Sequence, residues 1–393
     1  MVRLKGYVAL FVCLLITGAS KASFAIEHKI LTVVQTIQDG ENGVEGLDNP
    51  RHVKLSKDGK HVFIVSGDDN ALVGFKLKSN RLLQPFDFLK SAPDKGIYLE
   101  GAASLTQIGS EKRIAVTSFY DGALSVFDFS NDSKLIPLQS FSDHISPKIV
   151  FKNNQPLANL DKLGLFGAWE VIQSHDGKQL LVASYKSNSV TIFNVDAKTI
   201  KLAQQVKHLD KQPKHLGNPV SIALSASGNK LFVAGFDGNI VTIYARDNEG
   251  KLAFLQQLEN TLSAEKILSN PQKIIASHNG KFIYVANASN ASITVFADED
   301  GFFNHVQSIT VEGLKGVGTL LLSNDGKHLF AAGEQDSGLV QLRVQANGRL
   351  SEAISYNNES NSIHGISSIE QLEARRLLLS AAKADTVYLV QLP

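Results

Sequence analysis

The chain of 393 residues contains one cysteine, one methionine and one tryptophan, and its charges almost cancel. A single thiol, Cys13, excludes an intramolecular disulfide and a cluster of thiolate ligands for zinc. Thirty-nine Lys and Arg residues oppose 38 Asp and Glu residues, which leaves a formal charge of +1. This charge gives no field strong enough to hold a polyanion, so we expect no nucleic-acid partner.

The chain also lacks an apolar stretch of the length that spans a bilayer, about 20 residues. Its one early apolar run, residues 8–16, follows a positively charged start and ends in small residues up to Ala25. This pattern is typical of a secretory signal peptide cleaved after Ala25, and an uncleaved anchor is the alternative. We therefore expect residues 1–25 to be removed and residues 26–393 to form a single domain in a bacterial periplasm or outside the cell, with no membrane span.

A repeated phrase dominates the rest of the sequence: a small residue, one further residue, Asp-Gly-Lys or Asn-Gly-Lys, and then an alternating apolar run. Asp-Gly and Asn-Gly between such runs are strong hairpin signals, since a tight turn needs positive φ. Its glycines are Gly59, Gly177, Gly228 (in a lengthened copy), Gly280 and Gly326. Their spacing predicts a hidden copy near Ser110, and residues 366–379 form a seventh copy without the glycine.

Each period contains four short strands, which is the pattern of a β-propeller blade. The sequence therefore predicts an all-β, seven-bladed propeller of four-stranded blades. The last period ends after its third strand, while residues 30–37 near the N-terminus form a strand without a period of its own. We expect residues 31–37 to pair beside residues 386–390 and close the ring, which removes an unpaired sheet edge. An open β-solenoid, the alternative, leaves the N-terminal strand unexplained.

The repeated phrase, clearest in residues 277–287, resembles the Tyr-Val-Thr-Asn (YVTN) repeats and the lactonase-like seven-bladed propellers. Residues 49–60 also look like the Pro-Arg-His strand of the 6-phosphogluconolactonase-type family, where that strand carries the proposed active-site arginine and histidine. The resemblance implies that Arg51 and His52 lie in a corresponding site. It also implies an activity of the lactone hydrolase class.

Two departures from that family bear on activity. The family has a Glu seven residues after the turn Lys of the same blade, and Gly67 stands there in this chain, followed by Asp68. A Glu at this offset, Glu334, occurs instead in another blade. The family's Gln-x-x-Pro-His-x-His segment is missing. The carboxylate expected beside Arg51 is therefore absent or displaced.

In a propeller the innermost strands line a central channel, and the loops entering them surround its mouth. Aligning the periods on their turns places a pair of residues from each blade at this mouth. The pairs are Arg51 with His52, Gly101 with Ala102, Trp169 with Glu170, Val220 with Ser221, Gln272 with Lys273, Gly318 with Thr319, and Ile366 with Ser367. Glu100 and His364 lie just before two of these strands.

These residues allow two interpretations. The polar groups are a solvated channel lining, or they form a site for a small anionic or carbonyl-bearing ligand held by Arg51, Glu100, Trp169, Lys273, Glu334 and His364. For catalysis the candidates are Arg51 as oxyanion stabiliser and His52 or Glu170 as the base that activates water.

No nucleophile elbow, phosphate loop, zinc-binding helix or Rossmann fingerprint appears, so we expect no cofactor and no metal ion. Two functions from different classes remain. The first is an exported binding protein that presents a ligand or a protein partner site on the entry face. The alternative is a lactonase-like hydrolase that opens a sugar or related lactone. Whether the protein is an enzyme stays open at this point.

Overall fold

A computed structural model describes residues 26–109, 112–130, 134–145, 160–196, 199–207, 216–260, 266–360 and 362–393. The predicted signal peptide, residues 1–25, lies outside the described residues. Among the described residues, helix is restricted to two short 3-10 turns, Pro93–Lys95 and Ala382–Ala384. No helix in these ranges is long and apolar enough to cross a membrane.

Seven sheets, each with four antiparallel strands, follow one another along the chain, which confirms the predicted seven-bladed propeller. The first strand of each blade is the innermost one. Blade 1 consists of β3 (Pro50–Leu55), β4 (His61–Ser66), β5 (Ala71–Leu77) and β6 (Leu83–Lys90). Blade 2 consists of β7 (Ala102–Ile108), β8 (Arg113–Ser118), β9 (Ala123–Asp128) and β10 (Ile136–Ser142). Blade 3 consists of β11 (Ala168–Gln173), β12 (Gln179–Ser184), β13 (Ser189–Val195) and β14 (Ile200–Lys207).

Blades 4 and 5 have the same order. They consist of β15 (Pro219–Leu224), β16 (Lys230–Gly235), β17 (Ile240–Arg246) and β18 (Leu252–Glu259); and β19 (Pro271–Ala276), β20 (Phe282–Asn287), β21 (Ser292–Glu299) and β22 (Phe302–Thr310). Blades 6 and 7 complete the ring and also contain the first two strands of the chain. Blade 6 consists of β23 (Val317–Leu322), β24 (His328–Gly333), β25 (Leu339–Val344), β26 (Leu350–Asn357) and β1 (Ile26–Ile30). Blade 7 consists of β27 (Ile366–Glu373), β28 (Arg376–Ala381), β29 (Thr386–Gln391) and β2 (Thr32–Gln38).

The repeated Asp-Gly phrase has a structural role in the turn after the innermost strand. In blade 1 the Ser56 hydroxyl donates to Asp58 Oδ1 (2.6 Å) and accepts from the His61 N–H (2.9 Å), while Asp58 Oδ1 also accepts from the Lys60 N–H (3.0 Å). Gly59 supplies the positive φ of 69° that the turn requires. The same bonds recur in the copies at Ser174 and Ser323.

The N-terminal strand closes the ring as predicted: β2 pairs antiparallel with β29, with Ile37 opposite Val387. The Gln35 side chain of β2 makes two hydrogen bonds to the neighbouring outer strand. Its Nε2 donates to the Leu83 carbonyl at 2.9 Å, and its Oε1 accepts from the Leu83 N–H at 2.8 Å. The same pair of hydrogen bonds is made from the outer strands of blades 3, 4 and 5 by Gln204, Gln256 and Gln307. β2 is therefore the outer strand of blade 7.

The predicted single strand at residues 30–37 is wrong in one respect. The chain divides at Leu31, where β1 ends and β2 begins, and β1 runs parallel to β26 as a fifth strand of blade 6. The buried Leu31 turns inward and its N–H donates to the Asn357 carbonyl at 2.9 Å. The N-terminus therefore joins two adjacent blades and not one.

The hydrophobic core is distributed between the blades. Seven clusters of buried side chains each lie between two neighbouring sheets, including one between blades 7 and 1 that contains Ile37, Val53 and Leu389. Burial of this apolar surface stabilises the ring at about 25 cal/mol per Å². Because the ring has no break, the innermost strands are held around one central channel.

Every innermost strand begins with the same irregularity. The register shifts between the first and third residues of each of the seven strands, as between Pro50 and His52. A β-bulge of this kind reorients the extra residue. The second residue of each innermost strand is therefore the one that changes direction at the channel mouth.

Candidate functional site

A cavity of about 590 Å³ occupies the channel mouth. Residues from the innermost strands of all seven blades line it. Arg51, His52, Trp169, Glu170, Lys273 and Glu334 are among them. Glu100 and His364 are exposed and are not among the lining residues, so the structure brings together six of the eight predicted site residues.

The alignment of two blades needs correction. By register, the second and third residues of the innermost strands are Ala103 with Ser104 in blade 2 and Ser367 with Ser368 in blade 7. The sequence alignment placed Gly101 with Ala102 and Ile366 with Ser367 there. Both errors arise where a blade lacks the Asp-Gly turn that anchored the alignment.

Arg51 forms an ion pair with Glu334, with Nη2 and Oε1 2.9 Å apart. Glu334 directly follows β24 in blade 6, so the pair spans the whole of blade 7. The small Ser367 stands at the mouth position of blade 7 between them. Both side chains are largely buried, at 23% and 30% exposure, and Glu334 Oε2 has no hydrogen-bond partner among the described residues.

Two further ion pairs line the channel. Glu170 in blade 3 pairs with Lys273 in blade 5, and its other oxygen accepts from the Ile222 N–H at 2.7 Å. Lys54 in blade 1 pairs with Glu370 in blade 7, with Nζ and Oε2 3.0 Å apart. The three ion pairs balance one another, and Asp68, which also lines the cavity, adds one further carboxylate.

Sequence reasoning missed the Lys54–Glu370 pair, although strand alternation gave a usable signal. Both residues lie two positions beyond the third residue of their strands and so share its face.

His52 is held in one tautomer by its neighbours. The backbone N–H of Leu105 donates to Nδ1 at 3.1 Å, and the Ser104 hydroxyl lies 3.1 Å from the same nitrogen. Since a backbone N–H is only a donor, Nδ1 carries no proton, and the proton of the neutral ring is on Nε2. Burial and the nearby charges of Lys273 and Lys54 hold the pKa of His52 well below its usual 6.5.

An aromatic wall forms one side of the mouth. Trp169 of blade 3 packs edge to face against Phe119 of blade 2, with ring centroids 5.5 Å apart, and Phe119 lies 5.3 Å from Tyr120 and 6.3 Å from Tyr185. Phe119 directly follows β8, the offset at which Glu334 follows β24. That shared offset was the sequence signal that could have identified Phe119. The mouth therefore has an aromatic side in blades 2 and 3 and a charged side in blades 6 and 1.

A metal site is not apparent in the part of the chain that the structure describes. No group of three or more His, Cys, Asp or Glu side chains there could hold a metal ion.

A family model for lactonases with a seven-bladed β-propeller matches residues 161–265 and 265–363, just over half of the chain. The chain belongs to the seven-bladed β-propeller lactonase family. The matched residues cover blades 3 to 6 and include Glu170, Lys273 and Glu334, whereas the strand with Arg51 and His52 lies outside them.

One curated relative matches about half of the chain. An uncharacterised protein of Lactococcus lactis is 26% identical over 201 residues, which are 48% of this chain and 57% of the relative. The chain thus spans little more than half of that relative's length.

Two solved structures share the fold. The periplasmic gluconolactonase of Pseudomonas aeruginosa has a TM-score of 0.62 at 15% identity, over 78% of this chain and 84% of the other. A Bacteroides fragilis protein provisionally described as a 6-phosphogluconolactonase also has a TM-score of 0.62, at 18% identity, over 81% and 86% of the two chains.

Proposed function

We propose that the protein hydrolyses a lactone at the channel mouth. The contact between Arg51 and Glu334 is the single observation that carries this proposal. It places a carboxylate beside the arginine of the Pro-Arg-His strand, although the blade of that strand has Gly67 in place of the expected glutamate. The displaced carboxylate thus comes from blade 6.

In the proposed reaction Glu334 directs a water molecule, through its unpartnered Oε2, onto the lactone carbonyl carbon. Arg51 stabilises the oxyanion that develops on the carbonyl oxygen. The water proton passes to Glu334 and then to the ring oxygen as the carbon–oxygen bond breaks, which leaves a hydroxy acid. Glu170 is less suited to this role, because Lys273 and the Ile222 N–H occupy both of its oxygens.

The neutral His52 supports the reaction as a donor. With Nδ1 already accepting from Leu105, its available group is the Nε2–H. The Nε2–H can donate to a carbonyl oxygen together with Arg51. It cannot serve as a general base, because a base needs an unprotonated nitrogen that can accept a proton. The aromatic wall offers Trp169 as a flat apolar surface for the ligand ring.

A binding function without turnover is the second candidate. It is favoured by the charge balance of the cavity, where each of the three cationic side chains already faces a carboxylate. Such a site would hold a neutral, polar, carbonyl-bearing ligand or a protein partner on the entry face.

Turnover and binding can be measured separately on residues 26–393. Acid release from gluconolactone and homoserine lactones tests hydrolysis, and calorimetry with the same compounds tests binding. Arg51→Ala and Glu334→Gln should each lower kcat/KM by about a hundredfold or more. Glu352→Gln is the matched control, because it breaks the exposed Arg343–Glu352 pair of blade 6, where Nη1 and Oε1 are 3.1 Å apart. Binding without acid release would favour the second candidate, and the absence of both would refute this proposal.

We further propose that the protein acts outside the cytoplasm as a single domain, residues 26–393. The positively charged start, the apolar run and the small residues up to Ala25 support export, and the solved gluconolactonase of Pseudomonas aeruginosa is periplasmic. Mass spectrometry of the protein from a periplasmic fraction should find Ile26 as the first residue. An intact N-terminus in the cytoplasm would refute this localisation.

A further inference from the structure

One carboxylate at the channel mouth is left over after the ion pairs are counted. Asp68 follows Gly67 in the loop between β4 and β5 of blade 1, and it lines the cavity. Its side chain is exposed, and among the described residues its carboxylate forms no ion pair and accepts no hydrogen bond. The adjacent Asp69 differs, because its carboxylate accepts from the Asp48 N–H at 3.1 Å and pairs with Lys90. Asp68 therefore has the carboxylate of this loop that is open to a ligand.

The backbone holds Asp68 in place at the mouth. The Gly67 N–H donates to the Asn49 carbonyl at 2.9 Å, and the Asp68 N–H donates to the Asp48 carbonyl at 3.3 Å. On the other side, Asn70 Nδ2 donates to the Asp68 carbonyl at 3.1 Å. The position of Asp68 is thus fixed by main-chain contacts, and its side chain is not needed for them.

The same loop connects Asp68 to the aromatic wall. Asn70 Oδ1 accepts from the N–H of Gly101 in blade 2 at 2.7 Å. The Tyr120 ring packs on Gly101, where a Cβ would lie only 2.5 Å from Tyr120 Cδ2. Tyr120 is 44% exposed and lines the cavity, as Asp68 does. Asp68 and an accessible aromatic ring therefore lie on adjacent blades at one rim, joined through Asn70 and Gly101.

A second polar side chain is open to a ligand on the opposite part of the mouth. Gln272 is the second residue of β19 in blade 5, the position that changes direction at the mouth, and it lines the cavity. In the part of the chain that the structure describes, its amide group makes no hydrogen bond. Gly318 of blade 6 leaves room for it, since a Cβ there would lie 3.5 Å from Gln272 Cγ. The amide offers both donors and an acceptor.

The net charge of the lining indicates which ligands fit. The three ion pairs cancel and His52 is neutral, so the charge of Asp68 remains. A phosphate monoester carries about −1.5 to −2 charges near pH 7, and Asp68 repels it. Hydroxyl groups, in contrast, donate to a carboxylate and bond to an amide. The apolar face of a sugar ring also packs on an aromatic ring.

We propose that Asp68 is a specificity residue, which binds hydroxyl groups of an uncharged sugar lactone and excludes lactones that carry a phosphate group. This specificity rests on the proposed function, because it concerns the same site. It selects the uncharged, carbonyl-bearing class of ligand over the anionic class. Arg51 and Glu334 act on the lactone carbonyl, whereas Asp68 acts on the rest of the ring.

Calorimetry of residues 26–393 with glucose and glucose 6-phosphate tests the specificity without turnover. The two sugars differ only in the phosphate group, and neither contains a lactone bond. Glucose should bind about tenfold more tightly or better at low ionic strength, and added salt should reduce this ratio by screening. Equal or tighter binding of glucose 6-phosphate, or no binding of glucose, would overturn the proposal. If this binding pattern holds but gluconolactone releases no acid, lactone hydrolysis alone is refuted.

Two variants of Asp68 separate its charge from its hydrogen bonds. Asp68→Asn and Asp68→Ala both remove the charge, so both should bring the affinities for the two sugars close together. Only Asn keeps a polar group, so the alanine variant should bind glucose more weakly than the asparagine variant, by up to about tenfold. Asp94→Asn is the matched control, because Asp94 is exposed and does not line the cavity. An unchanged affinity ratio in Asp68→Asn, or the same change in Asp94→Asn, would overturn the role of Asp68.

Discussion

The guanidinium of Arg51 and the carboxylate of Glu334 meet at the channel mouth, 2.9 Å apart, although their blades are not neighbours. Blade 7 lies between them and presents only Ser367 at this level. The long side chains of Arg51 and Glu334 can therefore meet across blade 7, because the Ser367 side chain between them is short. Since each is more than two-thirds buried, the pair holds a fixed charge geometry at the mouth.

The first prediction is that a carboxylate at position 67 replaces Glu334. A Cβ on Gly67 would lie 3.4 Å from Arg51 Cγ, so a side chain there starts beside the same arginine. Glu334→Gln should lower lactone turnover by about a hundredfold or more. Adding Gly67→Glu should restore part of the lost kcat/KM, and Gly67→Gln is the uncharged control. An equal effect of Glu and Gln at position 67 would show that the charge is not what matters.

The second prediction concerns the protonation of His52. The folded-state pKa lies below the ordinary 6.5, because of burial first and then Lys273 and Lys54. His52 therefore contributes stability above about pH 6.5 that is lost as the pH falls, since the unfolded chain takes up the proton more readily. His52→Gln should make the unfolding midpoint less sensitive to pH between about pH 7 and about pH 5.

The ring nitrogens of His52 give an independent readout. Nitrogen-15 chemical shifts should report a neutral ring with the proton on Nε2 at neutral pH and in mildly acidic solution. An imidazolium signal in mild acid would contradict the lowered pKa, and a neutral ring with its proton on Nδ1 would contradict the proposed donor role.

The third prediction concerns Asp48, which lies where the chain enters blade 1. Burial, a hydrogen bond to Asp385 and the charges of Asp385, Asp68 and Asp69 raise its pKa from 3.8 to about 6. A raised folded-state pKa gives stability that is complete below about pH 4 and is lost as the pH rises through about 6. Asp48→Asn should therefore raise the unfolding midpoint at about pH 8 and have little effect at about pH 4. Glu312→Gln, an exposed residue, controls for the loss of one negative charge. The same midpoint change at both pH values would argue against a shared proton.

The fold was predictable because its signals are local. Asp-Gly turns such as the one at Gly59 fix where each inner strand ends, and strand alternation fixes which side chains face the channel. The errors fall where those signals are missing, as in blade 2, where the turn near Ser110 lacks Asp-Gly and the mouth residues were displaced by two positions. The division at Leu31 was also missed, because no Gly, Pro, Asn or Asp interrupts residues 26–37 to mark a break.

The site was less predictable, since its contacts depend on distances across the ring. Arg51 and His52 could be identified from a local resemblance. The partner of Arg51 could not, because the Glu334 contact requires the curvature of three blades and a small residue at Ser367. The tautomer of His52 likewise depends on the Leu105 N–H, which belongs to the neighbouring blade.

The last prediction concerns ring closure by the N-terminus. Deletion of residues 26–38 removes β1 and β2 together, including the buried Leu31 and Ile37 at 2% and 4% exposure. Truncation of one such side chain costs about 2–5 kcal/mol, and the deletion also exposes the edge of β29. The unfolding midpoint should therefore fall strongly.

Deletion of residues 26–30 alone separates the two strands. It removes β1, which adds a fifth strand to an already four-stranded blade 6, and it leaves Gln35 and its double hydrogen bond to Leu83 in place. The smaller deletion should lower the midpoint much less than the larger one, because blade 7 keeps its outer strand. The test is to measure the midpoint of thermal unfolding for both truncated proteins and for the protein of residues 26–393. If the two deletions have the same effect, the stability lies in β1 and not in the closure by β2.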